Sequence, residues 1–362
     1  MLAKSTTRKQ TNQLLQILLS AISDTHTSNS FSKVGPHGSA YLTQSSGCKK
    51  PRVTVGLPVF NGEAYLAEAL DSILSQTYKD FELIISDNAS TDRTRQICLD
   101  YMRRDNRIRY YRNTTNIGAT RNFNRVFSLS AGEYFKWANC DDVHAQEYLS
   151  RCVAGLDNDL TAVFCNSEVA KINEKGALKG RYDLSFNVGS PKAHERFSSI
   201  ISLRNNGWLL IHGLMRKSAL QETRLLGSFI SADRNLVAEI ALVGRMIQIP
   251  ETLFFRREHS ASYTNKGYGS LQEKLSWWTK TSSNRLIFPY WKVCSEYVKS
   301  VRHAGLKRSE RLLCYAQIGK WFLQEGWILM SFDIAYNVLT MIRLPSQLKI
   351  VSEYLLRPFS PA

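Results

Sequence analysis

Short apolar runs alternate with amphipathic segments between residues 53 and 166. The runs have the length of buried strands, whereas Leu66, Leu70 and Ile73 recur at helical spacing in the segment that follows the first run. The pattern predicts strands at 53–57, 81–86, 107–112, 134–138 and 162–166, and helices at 63–75, about 92–104, 119–129 and 146–156. This alternation is typical of an α/β fold, with a mostly parallel central sheet flanked by helices.

The pattern becomes irregular after residue 166. It predicts an inserted loop at 176–191, helices at 194–203 and 234–242, and strands at 211–216, 246–249 and 253–256. Beyond residue 270 it predicts helix throughout. The chain therefore divides into three parts: an N-terminal helix with a Ser-, Thr- and Gly-rich linker (1–50), an α/β domain (51–265) and a helical C-terminal extension (266–362). Ser90 or Thr91 is expected to cap the second helix.

The net charge of +16 is concentrated at the two ends of the chain. Residues 1–52 carry a net +6 and residues 271–362 a net +7, which leaves +3 for the long middle part. Positive flanks attract a membrane, a nucleic acid or a phosphorylated ligand, and they also keep a protein soluble. Because no nucleic-acid recognition motif accompanies the charge, we expect no nucleic-acid partner.

Cysteine usage and hydropathy indicate the compartment. The seven cysteines are an odd number without a CxxC pair, which favours neither a disulfide framework nor a zinc knuckle. A reducing compartment fits this usage. The sequence contains no run of 18 apolar residues, so we predict no membrane-spanning helix. We therefore expect a cytoplasmic protein, which the basic flanks could hold peripherally at the inner face of a membrane.

Two acidic stretches follow predicted strands. One runs from Asp87 to Asp92 after the second strand, and the other from Asn139 to Asp142 after the fourth. In open α/β sheets, ligands bind in the crevice beyond the carboxyl ends of the strands. Carboxylates placed there suit Mg²⁺ or Mn²⁺ and a phosphorylated ligand. Neither GxGxxG nor GxxxxGK[ST] occurs, so phosphates would be neutralised by a metal rather than by a glycine-rich loop.

These segments carry a resemblance to a known family. The run VTVGLPVFNGEAYLAEALDSILSQTYKDFELIISDNASTD resembles the opening of family 2 glycosyltransferases, which have the GT-A fold. The likeness continues through NIGATRNFNR, EYFKWANCDD and SADRNLVAEIALVG to FFRREHS, and spans about residues 52–262. It implies an enzyme that moves a sugar from a nucleotide-diphosphate donor to the hydroxyl of a glycan or lipid-linked acceptor, with inversion, in cell-surface polysaccharide or glycan synthesis.

The resemblance also implies which residues bind the donor. Asp87 falls where the family places the aspartate that accepts a hydrogen bond from the base, and Phe60 can offer its face to a ring. On the residues alone, an ordinary turn and a helix cap remain alternatives. The implied nucleotide-sugar site consists of Pro58, Phe60, Asn61, Glu63, Asp87, Asn88, Asn116, Arg121, Asn122, Asn139, Asp141, Arg256 and Arg257.

The second acidic stretch occupies the position of the family's DxD element. Asn139 stands where the first aspartate is usual, so it can accept a hydrogen bond from a ribose hydroxyl but brings no charge. The resemblance then implies that Asp141 binds a divalent metal, Mg²⁺ or Mn²⁺, with Asp142 and His259 as further ligands. A helix-capping cluster is the alternative interpretation.

Asp233 falls at the family's catalytic-base position, at the start of a predicted helix. An inverting transfer needs a base that removes the proton of the acceptor hydroxyl. Because a helix N-terminus lowers the pKa of a carboxylate, burial or a nearby anion must keep Asp233 basic. Arg256 and Arg257 are expected to add positive charge to the leaving group. Plain N-capping is the alternative for Asp233.

Other functions and another role for the C-terminal helices stay open. Because Asn139 departs from the acidic pattern, the protein could bind nucleotide-sugars without transferring them. A nucleotidyltransferase also uses an α/β sheet and metal carboxylates, but no Gly-rich basic loop precedes the first helix. Tryptophans among basic residues beyond residue 270 fit either a helical cap packed on the catalytic domain or helices that lie on an anionic membrane surface.

Overall fold

The computed structural model describes residues 50–184, 189–203, 207–260, 278 and 286–341. The N-terminal helix predicted before residue 50 lies outside these residues. Of the helices described, none combines the length and the apolar character that crossing a bilayer needs.

The first half of the chain folds in the predicted alternation. Its elements are β1 (Val53–Val59), α1 (Leu66–Leu74), β2 (Phe81–Asp87), α2 (Thr94–Arg104), β3 (Ile108–Arg112), α3 (Ala119–Ser128), β4 (Tyr134–Trp137), β5 (Val143–His144) and α4 (Tyr148–Asn158). Every residue of β1, β2 and β4 is buried. These strands are covered on both faces, which explains why their sequences are nearly continuous apolar runs.

The second half departs from the predicted pattern. Its elements are β6 (Ala162–Ile172), β7 (Leu178–Arg181), α5 (Ala193–Ile201), a 3₁₀ helix (Gly207–His212), β8 (Leu214–Arg216), α6 (Lys217–Gln221), α7 (Ala232–Val243) and β9 (Arg245–Arg257). The two strands predicted after residue 245 are one strand, because β9 pairs with β6 across a bulge at Pro250 and Glu251. The predicted loop contains β7, and the 3₁₀ helix shortens the predicted strand at 211–216.

The described residues form a sheet of nine strands in the order β3-β2-β1-β4-β8-β6-β9-β5, with β7 beside β6. β1 pairs in parallel with β2 and β4, and β2 pairs in parallel with β3. β8 runs antiparallel between β4 and β6. Because β1, β2 and β4 end at the same edge, the loops that follow them meet there, and both acidic stretches lie in these loops.

The cap predicted for the second helix is wrong. α2 begins at Thr94, and the Thr94 N–H donates to Asp92 Oδ1 at 3.0 Å. Ser90 lies four residues before α2, and its hydroxyl oxygen accepts a hydrogen bond from the Asn61 N–H at 2.9 Å. The local sequence assigns Ser90 to the start of the helix, but in the structure its side chain joins the turns after β1 and β2.

The C-terminal helices are α8 (Pro289–His303), α9 (Arg308–Trp321), a π-helical turn (Phe322–Gly326) and α10 (Trp327–Met341). Arg224 ties them to the α/β part, because it pairs with Glu239 on α7 and with Glu296 on α8, both at 2.5 Å. Tyr297 and Trp321 are buried in the same apolar cluster as the sheet-covering helix α7. These helices therefore pack on the α/β domain as a cap.

Candidate active site

The turns after β1 and β2 are hydrogen-bonded to each other. The Asn61 N–H donates to Ser90 Oγ at 2.9 Å, and the Glu63 N–H donates to Asp92 Oδ2 at 3.0 Å. The Glu63 carboxylate in turn accepts a hydrogen bond from the Arg93 N–H at 2.9 Å. Asn61 has a φ of 52°, a left-handed conformation that asparagine tolerates. Asn61 and Glu63 therefore fix the shape of this wall of the site.

Phe60 and Gly62 lie on the same turn, after the buried Pro58 at the end of β1. The Phe60 side chain is 48% exposed, although it belongs to an otherwise buried segment. A Cβ at Gly62 would lie 3.0 Å from Cys140 Sγ in the loop after β4. Glycine therefore lets the second acidic stretch approach the first turn closely, with the ring of Phe60 at the solvent side.

Asp87 is fully buried and is held by protein groups. Its Oδ1 accepts a hydrogen bond from the Ser90 N–H at 2.8 Å. Its Oδ2 accepts from Tyr110 Oη at 2.7 Å and from Arg112 Nη1 at 2.6 Å. The carboxylate therefore organises the turn in this structure. The side chain is buried in this structure, and its part in binding a nucleobase stays a prediction.

The predicted polar groups after β3 divide into buried and exposed members. Asn88 Nδ2 donates to Asn116 Oδ1 at 3.0 Å, and Asn122 Nδ2 donates to the Ser86 carbonyl at 2.8 Å. Asn88 and Asn122 are buried and hold the loops together, and their contact with a nucleotide stays a prediction. Arg121 is exposed at the start of α3 and remains accessible to a bound nucleotide.

Asn139 and Asp142 form a hydrogen-bonded pair. Asn139 Nδ2 donates to Asp142 Oδ2 at 2.9 Å and lies 3.3 Å from His212 Nε2. Asp142 Oδ1 accepts a hydrogen bond from the Arg257 N–H at 3.0 Å. Burial, with the like charge of Asp141 second, raises the pKa of Asp142 to about 7. The Asp142 carboxylate is thus buried and hydrogen-bonded within the protein, and its role as a metal ligand stays a prediction.

Asp141 and His259 face each other across 118 residues of sequence. His259 Nε2 lies 3.0 Å from Asp141 Oδ2, and the imidazole packs against Tyr65 with the ring centroids 4.7 Å apart. The two atoms are at hydrogen-bond distance, and an imidazole nitrogen beside a carboxylate oxygen is a pair of groups that would hold a divalent ion. No cluster of three metal-ligating side chains occurs among the residues that the structure describes. A metal held here would take its remaining ligands from phosphate and water.

Arg257 supports the second acidic stretch through hydrogen bonds to main-chain carbonyls. Its Nε donates to the Asp141 carbonyl at 3.0 Å, and its Nη1 donates to the carbonyls of Asn173 and Glu174, both at 3.1 Å. Nη2 pairs with Glu68 at 2.6 Å. The side chain is only 1% exposed and its donors position Asp141 in this structure, so its binding of diphosphate stays a prediction.

Arg256 is also buried, on the neighbouring position of β9. Its guanidinium lies over the Trp208 ring, 4.6 Å from the centroid, and its Nη1 is 3.5 Å from Tyr182 Oη. Its positive charge opposes the rise in the pKa of Asp142. Arg256 therefore contributes positive potential to the site from within the protein.

A buried lysine beneath the second acidic stretch was not predicted. Lys136 Nζ and Tyr148 Oη both donate to the His212 carbonyl. The ammonium lies 4.5 Å from the centroid of the Tyr148 ring and 5.3 Å from that of Phe254. The His212 ring in turn contacts Asn139, with Nε2 of the ring 3.3 Å from Asn139 Nδ2. The sequence signal is a single lysine within the apolar run of β4.

Asp233 lies at the start of α7, after Ser231 in a left-handed conformation with φ 64°. The Arg234 N–H donates to Asp233 Oδ1 at 2.7 Å. Burial raises the pKa of Asp233 above its ordinary value and outweighs the hydrogen bond and charge of Arg234. α7 packs against the 3₁₀ helix, whose last residue, His212, contacts Asn139. The 3₁₀ helix thus connects the Asp233 helix to the second acidic stretch.

Comparison with known proteins establishes the family. The model of glycosyl transferase family 2 matches residues 54–209. An uncharacterized glycosyltransferase of Rickettsia typhi is 30% identical over 240 residues, which cover 63% of this chain and 71% of that protein. The chain belongs to glycosyltransferase family 2. A further uncharacterized glycosyltransferase, from Haemophilus influenzae, is 26% identical over 234 residues, which cover 62% of this chain and 71% of its own.

Solved structures confirm the GT-A fold of this family 2 glycosyltransferase. S. aureus TarS 1–349, solved in complex with UDP-GlcNAc, superposes with a TM-score of 0.57 at 17% identity, over 75% of this chain and 73% of that chain. The same TarS region in complex with UDP gives a TM-score of 0.55 at 15% identity, over 82% of this chain and 76% of that chain. At this identity, the likeness shows the fold alone.

Arg257→Met is expected to lower the free energy of unfolding of the glycosyltransferase by about 1–3 kcal/mol, because it leaves the half-buried carbonyls of Asp141 and Asn173, and that of Glu174, without their donor. Arg181→Met, at an exposed base paired with Glu168, is the matched control and should change it by less than about 0.5 kcal/mol. Chemical denaturation measures both. An Arg257 variant with wild-type stability but weaker nucleotide binding would instead support the diphosphate role.

Lys136→Met is expected to remove a pH dependence of stability. Burial lowers the pKa of Lys136 to about 7, whereas an unfolded lysine titrates near ~10.4. Between these values the unfolded chain binds a proton that the folded enzyme lacks, so raising the pH from 7 to 9 should stabilise the wild type by about 2 kcal/mol. Denaturation curves at both pH values test this. Equal pH dependence in the wild type and the Met variant would contradict it.

Proposed function

We propose that the protein transfers a sugar from a nucleoside diphosphate-sugar to an acceptor hydroxyl with inversion of configuration. The observation that carries this proposal is the pair Asp141 and His259, 3.0 Å apart at the sheet edge where β1, β2 and β4 end. A second carboxylate, Asp233, is held separately on α7 with a raised pKa. A metal-phosphate group and a general base at separate positions are what an inverting transfer requires.

The donor's nucleotide is proposed to lie against the joined turns after β1 and β2. The exposed ring of Phe60 can stack on a base. Because Asp87 and Asn88 are occupied by internal hydrogen bonds, recognition of the base would rest on Phe60 and main-chain groups. TarS, which shares the fold, was solved with UDP and with UDP-GlcNAc, which makes uridine the first base to test. Asn139 has its amide nitrogen committed, so its carbonyl oxygen is left to accept from a ribose hydroxyl.

Asp141 and His259 are proposed to hold the divalent metal. An imidazole beside a carboxylate favours Mn²⁺ over Mg²⁺, which prefers oxygen ligands alone. When bound, the ion supplies positive charge to the departing diphosphate. Arg257 fixes the Asp141 main chain, and Arg256 adds positive potential beside Asp142.

Asp233 is proposed to be the general base. It takes the proton of the acceptor hydroxyl as the oxygen bonds to the anomeric carbon, while the bond from that carbon to the diphosphate oxygen breaks and its electron pair leaves with the nucleoside diphosphate. An α-linked donor then gives a β-linked product. The raised pKa makes Asp233 a stronger base, so it accepts the proton of the acceptor hydroxyl more readily. The acceptor is proposed to be a glycan or a lipid-linked sugar in cell-surface polysaccharide synthesis.

A thermal-shift panel tests the proposal first. The full chain is heated with UDP-, GDP-, CDP- and dTDP-sugars, with and without Mn²⁺. We expect one nucleotide family to raise the unfolding temperature in the presence of Mn²⁺ only. A ligand present at ~100 times its Kd stabilises by about 2.7 kcal/mol. The absence of any metal-dependent shift across the panel would count against a donor site.

A further inference from the structure

The outer face of α10 is apolar and faces solvent. Trp327, Ile334, Val338 and Met341 recur at i, i+7, i+11 and i+14, so they form one stripe along the helix, and all four are exposed. Leu323, in the π-helical turn just before α10, is 74% exposed. We call these five residues the apolar stripe. Exposed apolar side chains at this spacing indicate a binding surface rather than scattered surface residues.

The face of α10 that borders the apolar stripe is docked on α8. Asp333 Oδ2 accepts from the N–H groups of Tyr290 and Trp291 at 2.8 and 3.1 Å, and Asn337 Nδ2 donates to the Ile287 carbonyl at 2.7 Å. The orientation of α10 is therefore fixed by buried polar contacts. The apolar stripe therefore lies beside the docked face and is exposed to solvent.

Every exposed charged side chain on the described helices α8 to α10 is basic. The acidic residues there are buried or half-buried: Glu296, Glu310, Glu325 and Asp333. The exposed bases are Lys292, Lys299, Arg302, Lys307, Arg308 and Lys320. Lys292 and Lys299 pair with Glu296, whereas the other four make no ion pair with a described residue. The exposed charge of these three helices is thus basic and unbalanced, although α10 itself carries no base.

An apolar stripe on helices whose exposed charges are all basic fits one kind of binding partner best. A second copy would bring equal positive charge, on a chain of net charge +16, against the same surface. A bilayer with anionic phospholipid offers a hydrocarbon boundary for the stripe and phosphates for the bases. We propose that α9 and α10 dock the enzyme on such a bilayer, with the apolar stripe in the boundary between headgroups and acyl chains. This inference is independent of the donor site.

Vesicle flotation with the full chain tests the stripe. The vesicles are phosphatidylcholine alone, or phosphatidylcholine with about 30% phosphatidylglycerol, in low salt. The wild type is expected to float with the anionic vesicles, and the double variant Trp327→Ser/Ile334→Ser to bind them about tenfold more weakly. The matched control is Leu160→Ser/Leu178→Ser, which removes two exposed leucines of the α/β domain and should bind like the wild type.

The charge contribution is tested separately. Arg308→Glu and Lys320→Glu are each expected to weaken binding to anionic vesicles at least about fivefold. Arg95→Glu, at an exposed base on α2, should have little effect. Unchanged thermal unfolding temperatures establish that the variants are folded.

Three results would overturn the proposal. The first is equal flotation of the wild type with neutral and anionic vesicles. The second is flotation of the Trp327→Ser/Ile334→Ser variant at the wild-type level, which would place membrane binding elsewhere, for example in the basic residues before position 50. The third is a light-scattering result in which the wild type is dimeric and the Trp327→Ser/Ile334→Ser variant is monomeric. The stripe would then be an interface between two copies of the chain.

Discussion

Asp233→Asn is expected to abolish sugar transfer and leave donor binding intact. The amide keeps the size of the carboxylate but cannot accept the proton of an acceptor hydroxyl, and losing a general base costs roughly 10²- to 10⁴-fold in rate. Burial raises the pKa of Asp233, so the wild-type rate should fall on the acid side at a higher pH than an exposed aspartate would give. The rate kcat/KM as a function of pH and the Kd of the donor measure the two effects.

The Asp233 result also separates an enzyme from a pure nucleotide-sugar binder. Glu222→Gln, at a residue just after α6 on the surface, is a matched loss of one carboxylate and should leave the rate unchanged. If Asp233→Asn keeps more than about a tenth of the wild-type rate, another group removes the proton. If it loses donor affinity and thermal stability together, then Asp233 caps α7 and the assignment as base is wrong.

Asp141→Ala is expected to remove the metal dependence of nucleotide binding. Asp141 Oδ2 lies beside His259 Nε2, and without the carboxylate a single imidazole is left at this position to hold a divalent ion. We expect the affinity for the nucleoside diphosphate in Mn²⁺ to fall at least about 100-fold, to the value measured without metal. Isothermal titration calorimetry with and without Mn²⁺ measures this.

Asp142→Asn is the informative contrast. Each oxygen of Asp142 accepts one hydrogen bond, Oδ2 from Asn139 Nδ2 and Oδ1 from the Arg257 N–H. An asparagine has only one oxygen, so its NH₂ group would face one of these two donors and that hydrogen bond would be lost. This variant should lose thermal stability yet keep the Mn²⁺ dependence of nucleotide binding. If Asp142→Asn removed the metal dependence and Asp141→Ala did not, the assignment of the ligands would be reversed.

The sequence predicted the parallel half of the sheet well because its strands are buried on both faces. β1 and β2 are therefore continuous apolar runs that end where the polar loops begin. The same property brings both acidic stretches to one edge. That Asp141 and His259 lie close together was predicted only from the resemblance. The end of β9 returns to the second acidic stretch across 118 residues of sequence, and no local sequence pattern indicates that return.

The partners of buried charges could not be predicted from residue type. Asp87 pairs with Arg112 because β2 and β3 align these two residues in register, which local sequence does not reveal. Arg257 looks like a phosphate ligand in the sequence, but the fold surrounds it with carbonyl groups. The raised pKa of Asp233 likewise follows from tertiary burial, since its place at a helix N-terminus predicts a lowered value.

The configuration of the first-formed product tests the central claim most directly. The donor that the thermal-shift panel selects is incubated with Mn²⁺ and an equimolar amount of enzyme, and proton NMR follows the anomeric signal as the sugar is transferred to water or to a supplied acceptor. We predict that an α-linked donor yields the β-anomer first, with one nucleoside diphosphate released per sugar and no turnover by Asp233→Asn. An α-anomer formed first, or a bound donor that stays intact, would contradict inverting transfer by this site.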